Sequence, residues 1–135
     1  MNDHVTFRSE RFANSDEGQA AADCATWMYK ALVADDALKV GTAVEEEWGC
    51  SIPVRAQGLL AYIDLTVYGP KSDWWLVAIN CDLASVKRAL RMPVAGAIAD
   101  VARAVERVLT AAPDVRDIAW HAGPGFMRQD RWQQQ

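Results

Sequence analysis

The densest group of chemically capable side chains is the acidic triplet Glu45, Glu46 and Glu47, which stands directly before Trp48-Gly49. Two carboxyl groups can act as general acid and base when their environments separate their pKa values, and carboxylates can also ligate a metal ion. Because three adjacent acids create no such asymmetry, we interpret the triplet first as a solvated loop that leads into a strand. Recognition of a basic partner is the second interpretation, and catalysis or metal binding is the third.

Thiol and imidazole groups are the second source of chemistry. The cysteines Cys24, Cys50 and Cys81 are odd in number and form no CxxC pair, so the sequence predicts neither a disulfide framework nor a zinc site. Each lies in an apolar periodic position, which favours burial as a small hydrophobic residue. A Cys and a His can together make a nucleophile, so the alternative function is a small enzyme or ligand-binding protein that uses Cys50 or Cys81 with His121. We assign no catalytic residue, expect no metal and expect no cofactor.

Six tryptophans are a high load for 135 residues, and their sequence context divides them. Trp27, Trp48 and Trp120 follow the apolar phase of their segments and are predicted to lie in the core. Trp74 and Trp75 are adjacent in a predicted strand, so one of them must project from the opposite face of the sheet.

An aromatic contact surface is predicted on that opposite face. Its members project from the side of their strands that carries no apolar stripe, and they are Tyr62, Asp64, Thr66, Tyr68 and the outward tryptophan, which we take as Trp74. Aromatic side chains carry much of the energy of interfaces, so this surface is a candidate for partner binding or for a homodimer. The alternative is that the segment around Phe126 and Trp132 folds over it.

The length and composition predict one globular domain. The chain has 135 residues, of which 51% are hydrophobic and 24% charged, which suits a core-forming domain and not a disordered or fibrous chain. We assign residues 1–127 to a single α+β domain and residues 128–135 to a polar C-terminal tail. No apolar run reaches the roughly 18 residues of a membrane-spanning helix, and the first residues lack the pattern of a signal peptide. The sequence therefore predicts a cytoplasmic protein.

Hydrophobic periodicity predicts the elements that position these residues. Helical spacing covers Ser15 to Ala34 and Pro93 to Ala112, with a shorter helical stretch at Leu83 to Arg91. Alternation predicts strands at Val5 to Phe12, Trp48 to Arg55, Leu59 to Tyr68, Asp73 to Cys81 and Val115 to His121. The predicted fold is a two-layer α+β sandwich, in which an antiparallel sheet of four to five strands carries two long helices on one face. Pro53 has no backbone donor, so its strand is expected at an edge or at a bulge.

The order of these features resembles a group of small uncharacterised bacterial α+β proteins. The residues that carry the resemblance are Trp27 and Leu32, Glu47-Trp48-Gly49, Trp74 or Trp75, Val108-Leu109, and Ile118-Ala119-Trp120, within about residues 7 to 121. In that group an acidic residue, Trp, Gly and a second aromatic residue open the sheet, and Cys50 stands at the position of the second aromatic. The resemblance implies no catalytic residue. In size, acidity and make-up the chain is also similar to toxin-immunity proteins and type III secretion chaperones, which bind partner proteins.

We therefore expect a non-enzymatic cytoplasmic protein-binding module that is immunity-like or chaperone-like. The chain has 14 basic and 18 acidic residues and a net charge of −4, which disfavours binding to a nucleic-acid backbone. The expected partner is another protein, of basic character, with a homodimer through the sheet face as a further expectation and no membrane contact. The predicted partner-binding residues are Glu45, Glu46, Glu47, Tyr62, Asp64, Tyr68 and Trp74.

Overall fold

The computed structural model describes residues 2–12, 17–36, 38–67, 73–81 and 94–122. Its two helices are α1 (Glu17–Val33) and α2 (Val94–Ala111). Its strands are β1 (Asn2–Arg8), β2 (Lys39–Val40), β3 (Val44–Glu46), β4 (Gly49–Ala56), β5 (Leu59–Val67), β6 (Trp74–Cys81) and β7 (Arg116–Ala122). No helix in these ranges is long and apolar enough to cross a membrane.

All seven strands belong to one antiparallel sheet. Six of them lie in the order β2, β4, β5, β6, β1, β7. The short strand β3 also pairs with β4, on the edge that β2 occupies. Strands β4, β5 and β6 follow one another as the predicted meander. The first strand, β1, then lies between β6 and the last strand, β7.

The turn between β4 and β5 sets the register of the meander. Gln57 and Gly58 both have positive φ angles, of 52° and 78°, and they join the paired residues Ala56 and Leu59. Two central residues with positive φ form a type I′ turn, whose twist matches that of the flanking strands. The Gln57 side chain donates to Asp100 of α2 at 2.7 Å, which ties the turn to the helix layer.

Both helices pack on one face of the sheet. The inward side chains of the strands alternate with outward ones, so directly paired residues such as Ile52, Ile63 and Ile79 share a face. Ala20, Cys24, Met28 and Leu32 of α1 and Ala97, Val101, Val105 and Leu109 of α2 complete the same buried cluster. On β6, Trp75 is fully buried in this cluster, and the ring of Phe12 meets it edge-on at 5.6 Å.

The face opposite the helices, here called the outer face, is not uniformly exposed. His4, Thr6 and Leu76 project from it on neighbouring strands and are nevertheless buried. Tyr62, Asp64 and Thr66 on β5 are half-buried. On the outer face, Tyr62, Asp64 and Thr66 are therefore more accessible than His4, Thr6 and Leu76.

Two arginines connect the end of β1 to other elements: Arg8 is the last residue of the strand, and Arg11 follows it. The Arg8 guanidinium donates to Asp73 at 2.6 and 3.1 Å and lies 5.1 Å above the Trp74 ring. The bond from Arg8 holds the pKa of Asp73 below its usual range. Arg11 donates to both oxygens of Asp114 at 2.6 and 2.8 Å. Burial opposes the charge on Asp114, but the bonds from Arg11 and Ser9 still lower its pKa.

The predicted α+β class, antiparallel sheet and two helices are confirmed, whereas the strand count is wrong. The described residues form seven strands instead of four to five, because β2 and β3 are too short and too polar to show alternation. The first strand spans Asn2–Arg8, not Val5 to Phe12, because the chain leaves the sheet after Arg8 and turns at Phe12. The helical stretch 83–91, Tyr68 and the tail 128–135 lie outside the described residues.

Pro53 lies between the residues of β4 that pair with β3 and those that pair with β2. β3 pairs with residues up to Ser51, and β2 pairs from Val54 onward, so the missing donor of Pro53 falls between the two edge strands. The Pro53 carbonyl is still used, since it accepts from the Gly41 amide at 2.8 Å. The strand is therefore neither at the edge of the sheet nor bulged, contrary to what the sequence led us to expect, and Pro53 is accommodated in a gap between two short neighbours.

The α2 stripe provides a direct test of the fold. Val105 is fully buried, so Val105→Asp places an unpaired carboxylate in the core, and we expect the free energy of unfolding to fall by about 3 kcal/mol or more. The control is Thr26→Asp, which puts the same charge on the exposed side of α1 and should change stability by less than about 0.5 kcal/mol. Urea unfolding followed by circular dichroism measures both. Equal midpoints for the two variants would contradict this packing.

Candidate functional site

The acidic hairpin, defined as Val44 to Cys50, is the best-formed candidate site. β3 and β4 pair through Glu45 with Cys50 and Glu46 with Gly49, and Glu47 and Trp48 form the turn between them. The triplet is therefore part of a hairpin at the sheet edge, not a loop before a strand as the first interpretation had it.

Gly49 holds this hairpin close to β5. Its φ of 155° lies in a region that side-chain-bearing residues rarely adopt, and a Cβ at this position would overlap the carbonyl oxygen of Leu65. The neighbouring Thr66 hydroxyl donates to the Trp48 carbonyl at 2.6 Å. Backbone packing thus accounts for the glycine of the Trp48-Gly49 step, whereas the Trp48 side chain is exposed.

A pocket of about 410 Å³ lies at the hairpin. Its lining comprises Gln19 and Ala21 of α1, Glu45 to Cys50 of the hairpin, and Thr66 and Val67 at the end of β5. The three glutamates and Trp48 are exposed, whereas Cys50 is only 2% exposed. The approach of Gln19, Ala21 and Val67 to the triplet was not predicted, because a contact between a helix start and a distant hairpin leaves no pattern in sequence.

The described residues provide no counter-charge for the triplet. In the described part of the chain, no Lys, Arg or His forms an ion pair with Glu45, Glu46 or Glu47. Several other described acids form ion pairs, for example Asp35 with Arg107 and Asp100 with Arg103. The pocket rim is therefore a concentrated negative surface.

Trp48 is exposed, so its predicted place in the core is wrong. Its side chain is 48% exposed, and Val44 of the same hairpin is 52% exposed. The alternation Trp48, Cys50, Ile52 suggested an inward position, but β4 begins at Gly49 and Trp48 belongs to the turn. The other two tryptophans placed in the core, Trp27 and Trp120, are half-buried and pack against it.

The predicted aromatic surface is only partly assembled. Trp75 faces the core, so Trp74 is the outward tryptophan, half-buried beneath Arg8. Tyr62 pairs across from Asn80, six residues along β6 from Trp74, which is about 20 Å of strand. Tyr62 and Trp74 therefore belong to different ends of the outer face, and Tyr68 lies outside the described residues.

Asp64 occupies the accessible part of the outer face beside Tyr62. Its two carboxylate oxygens accept from the Ser51 hydroxyl at 2.7 Å and from the Asn80 amide at 2.6 Å. These bonds cross three strands and fix the carboxylate, so it can serve as a rigid polar contact.

The alternative Cys/His site is not assembled. Cys50 pairs with Leu65 on the core side of the sheet, whereas His121 pairs with His4 on the outer face. Four strand spacings, about 19 Å, separate β4 from β7. Cys81 also faces the core side, opposite Ala61. Among the described residues, no three His, Cys, Asp or Glu side chains form a group that could hold a metal ion.

A second cavity, of about 690 Å³, was not predicted. It lies between the C-terminal ends of α1 and α2, over Trp27 and Leu32. Arg11 stacks 5.1 Å above the Trp27 ring, and Arg107 of α2 pairs with Asp35 after α1. Both arginines are already neutralised by aspartates, so this cavity has no concentrated charge comparable to the acidic hairpin.

No protein-family model, curated protein or solved structure matches this chain. The assignment of function consequently depends on the geometry and charge of the sites described above.

The thiols test whether nucleophilic chemistry is available. Burial raises the pKa of Cys24 and of Cys81, and burial together with Glu45 raises that of Cys50. We expect no thiol of the native protein at pH 7.5 to react with an aromatic disulfide reagent faster than free cysteine, and all three to react after unfolding. A thiol that reacts faster than free cysteine in the native protein would favour the enzyme alternative.

Gly49 can be tested by substitution. Gly49→Ala should lower the free energy of unfolding by about 2 kcal/mol or more, because the added methyl group must displace the backbone of β5. Gly58→Ala is the matched comparison, since its positive φ lies at an exposed turn and should cost about 1 kcal/mol. If thermal unfolding shows Gly49→Ala to be no more destabilising than Gly58→Ala, the close approach to Leu65 is not a constraint.

Proposed function

We propose that this chain is a non-enzymatic protein-binding module that recognises a basic partner through the acidic hairpin. The observation that carries the proposal is one pocket that combines an exposed tryptophan with three carboxylates that form no ion pair with any described residue. This exposed group of like charges does not stabilise the fold. It is suited to an interaction with a cationic group from another molecule.

The chemistry of the pocket favours a lysine or arginine side chain of the partner. Carboxylates form charge-assisted hydrogen bonds with ammonium and guanidinium groups, and a tryptophan ring attracts either cation to its face. A volume of about 410 Å³ accommodates one long side chain with space for water. Trp48 would supply the apolar contact area of the interface and the glutamates its orientation.

The hairpin is also rigid enough to bind at low conformational cost. Gly49 seats it against Leu65, and Thr66 fixes the Trp48 carbonyl. A surface that is already ordered loses less entropy on association than a mobile loop does. This rigidity supports a recognition role over the interpretation of the triplet as a merely solvated segment.

The competing enzyme interpretation receives less support. A thiol nucleophile needs a base within hydrogen-bond reach, and Cys50 and Cys81 lie on the face of the sheet opposite His121. The glutamates all lie in one solvated environment, so nothing separates one of them as an acid from another as a base.

The class of partner is the remaining part of the proposal. An immunity-like protein neutralises a toxin and a chaperone-like protein escorts its client, and a pre-formed acidic surface suits either role. The cytoplasm is the proposed compartment, because the three cysteines are unpaired thiols. The pair Tyr62 and Asp64 on the outer face is the second contact candidate, including contact with another copy of this chain.

Charge reversal tests the acidic hairpin. The partner is first recovered by affinity capture from the native host and purified. Glu45→Lys combined with Glu46→Lys should slow its association by about tenfold at low salt and flatten the salt dependence of the rate, because complementary charges act mainly on association. Stopped-flow measurements at low and high salt provide both quantities, and circular dichroism checks that the fold is retained.

A matched control separates the effect of the hairpin carboxylates on association from the effect of the net charge of the protein. Glu10→Lys combined with Asp36→Lys changes the net charge equally at exposed positions away from the hairpin. Trp48→Ala should weaken binding without lowering the thermal stability. The proposal fails if hairpin and control variants slow association to the same extent, or if neither differs from wild type.

A further inference from the structure

A further pocket, of about 330 Å³, lies between β2 and β4 and is lined by two cations. Lys39 of β2 is directly paired with Arg55 of β4, and both residues are exposed. Both side chains project from the outer face, because Val54 and Ala56 on either side of Arg55 are buried in the core cluster. The two cations therefore lie side by side on the outer face, at the end of β4 away from the acidic hairpin.

The pairing of Lys39 with Arg55 is electrostatically unfavourable. Directly opposed residues of antiparallel strands hold their Cβ atoms about 4.5–5.5 Å apart, and like charges at such positions destabilise the pair. In the part of the chain that the structure describes, no Asp or Glu forms an ion pair with either residue. An anion bound between the two side chains would relieve this repulsion.

The carboxylates along the same strand do not offset these cations. Cys50, which pairs with Glu45 of the acidic hairpin, lies five residues before Arg55 on β4, which is roughly 17 Å of strand. This separation exceeds the Debye length of about 8 Å at physiological ionic strength, so the attraction between exposed charges is largely screened. The two ends of β4 therefore carry opposite charges that act separately.

The surface beside the two cations is apolar and depends on Gly41. The Gly41 amide donates to the Pro53 carbonyl at 2.8 Å, and a Cβ at Gly41 would lie only 2.9 Å from Cγ of the Pro53 ring. Leu60, which pairs with Arg55 from the other side, is half-buried and lines the same pocket. The absence of a side chain at Gly41 thus leaves the Pro53 ring uncrowded next to the charged groups.

We propose that this pocket binds a small phosphate monoester, with its phosphate between Lys39 and Arg55 and its apolar body over Pro53 and Leu60. A phosphate monoester carries about 1.5 to 2 negative charges at pH 7, so it can offset both cations, whereas a carboxylate offsets only one. The guanidinium binds two phosphate oxygens at once, and the lysine ammonium adds a point charge. A volume of about 330 Å³ suits a phosphate with one ring attached. This site is separate from the acidic hairpin and does not depend on its proposed role.

Titration of the full chain with phenyl phosphate, followed by ¹H–¹⁵N NMR at pH 7.5, tests the site. We expect saturable binding with a Kd of about 1 mM or lower, and the largest shifts at the amides of residues 39–41 and 54–56. Inorganic phosphate lacks the apolar body and benzoate lacks the second charge. Each should therefore bind at least about fivefold more weakly than phenyl phosphate.

Removal of both cations should weaken the binding of phenyl phosphate. We expect Lys39→Gln combined with Arg55→Gln to raise its Kd at least about tenfold. The control is Lys30→Gln combined with Arg103→Gln, which changes the net charge equally at exposed helix positions and should leave the Kd within about twofold of the wild type. Circular dichroism checks that both variants are folded.

A substitution at Gly41 tests the apolar part of the site. Gly41→Ala should weaken the binding of phenyl phosphate more than that of inorganic phosphate, because the added methyl group crowds the Pro53 ring. The site is overturned if phenyl phosphate does not bind saturably up to about 10 mM, or if the cation-removing variant and its control lose binding equally. The choice of a monoester is overturned if benzoate or inorganic phosphate binds as tightly as phenyl phosphate.

Discussion

The insertion of β1 between β6 and β7 is the constraint on which the remaining structure depends. Val5 and Phe7 of this strand are fully buried, and the strand exchanges backbone hydrogen bonds with neighbours that lie about 70 and 115 residues later in sequence. Without β1 the sheet would end at β6, β7 would have no partner, and α2 would lose part of the surface on which it packs. Long-range pairing of this kind makes folding slow, because the loop-closure entropy is lost before the contacts form.

Charge is distributed unevenly around this framework. At the end of β1, Arg8 and Arg11 each meet aspartates, and these contacts fasten β1, β6 and the segment before β7 to one another. At the opposite edge of the sheet, beside β4, the three glutamates have no such counter-charge in the described residues. Among the described residues, ion pairs of Arg8, Arg11 and Arg107 connect separate parts of the fold, whereas Glu45, Glu46 and Glu47 form no ion pair. This difference is the physical basis for proposing recognition at the hairpin.

The sequence predicts most of the framework because its longer elements have clear periods. The stripe of α2 and the alternation of β5 place their residues correctly, and the helix bounds differ by one or two residues from those observed. β2 and β3 could not be predicted, because two- and three-residue strands are defined only by the neighbour with which they pair. Trp48 was misplaced for a related reason: alternation was extended by one residue into a turn. At the candidate site the triplet was recognised from sequence, but its pocket depends on the approach of α1, which no local pattern records.

The two edges of the sheet also bear on self-association. An exposed strand edge can template another chain, and long flat edges are the sites from which fibrils grow. Here one edge is divided into the short strands β2 and β3 on either side of Pro53, and β3 carries acidic side chains. At the other edge, Asp117 has a φ of 55° within an irregular register, which bends β7 near Arg116. Neither edge of the described sheet offers a long, regular row of donors and acceptors, and this disfavours edge-to-edge pairing between copies of the chain.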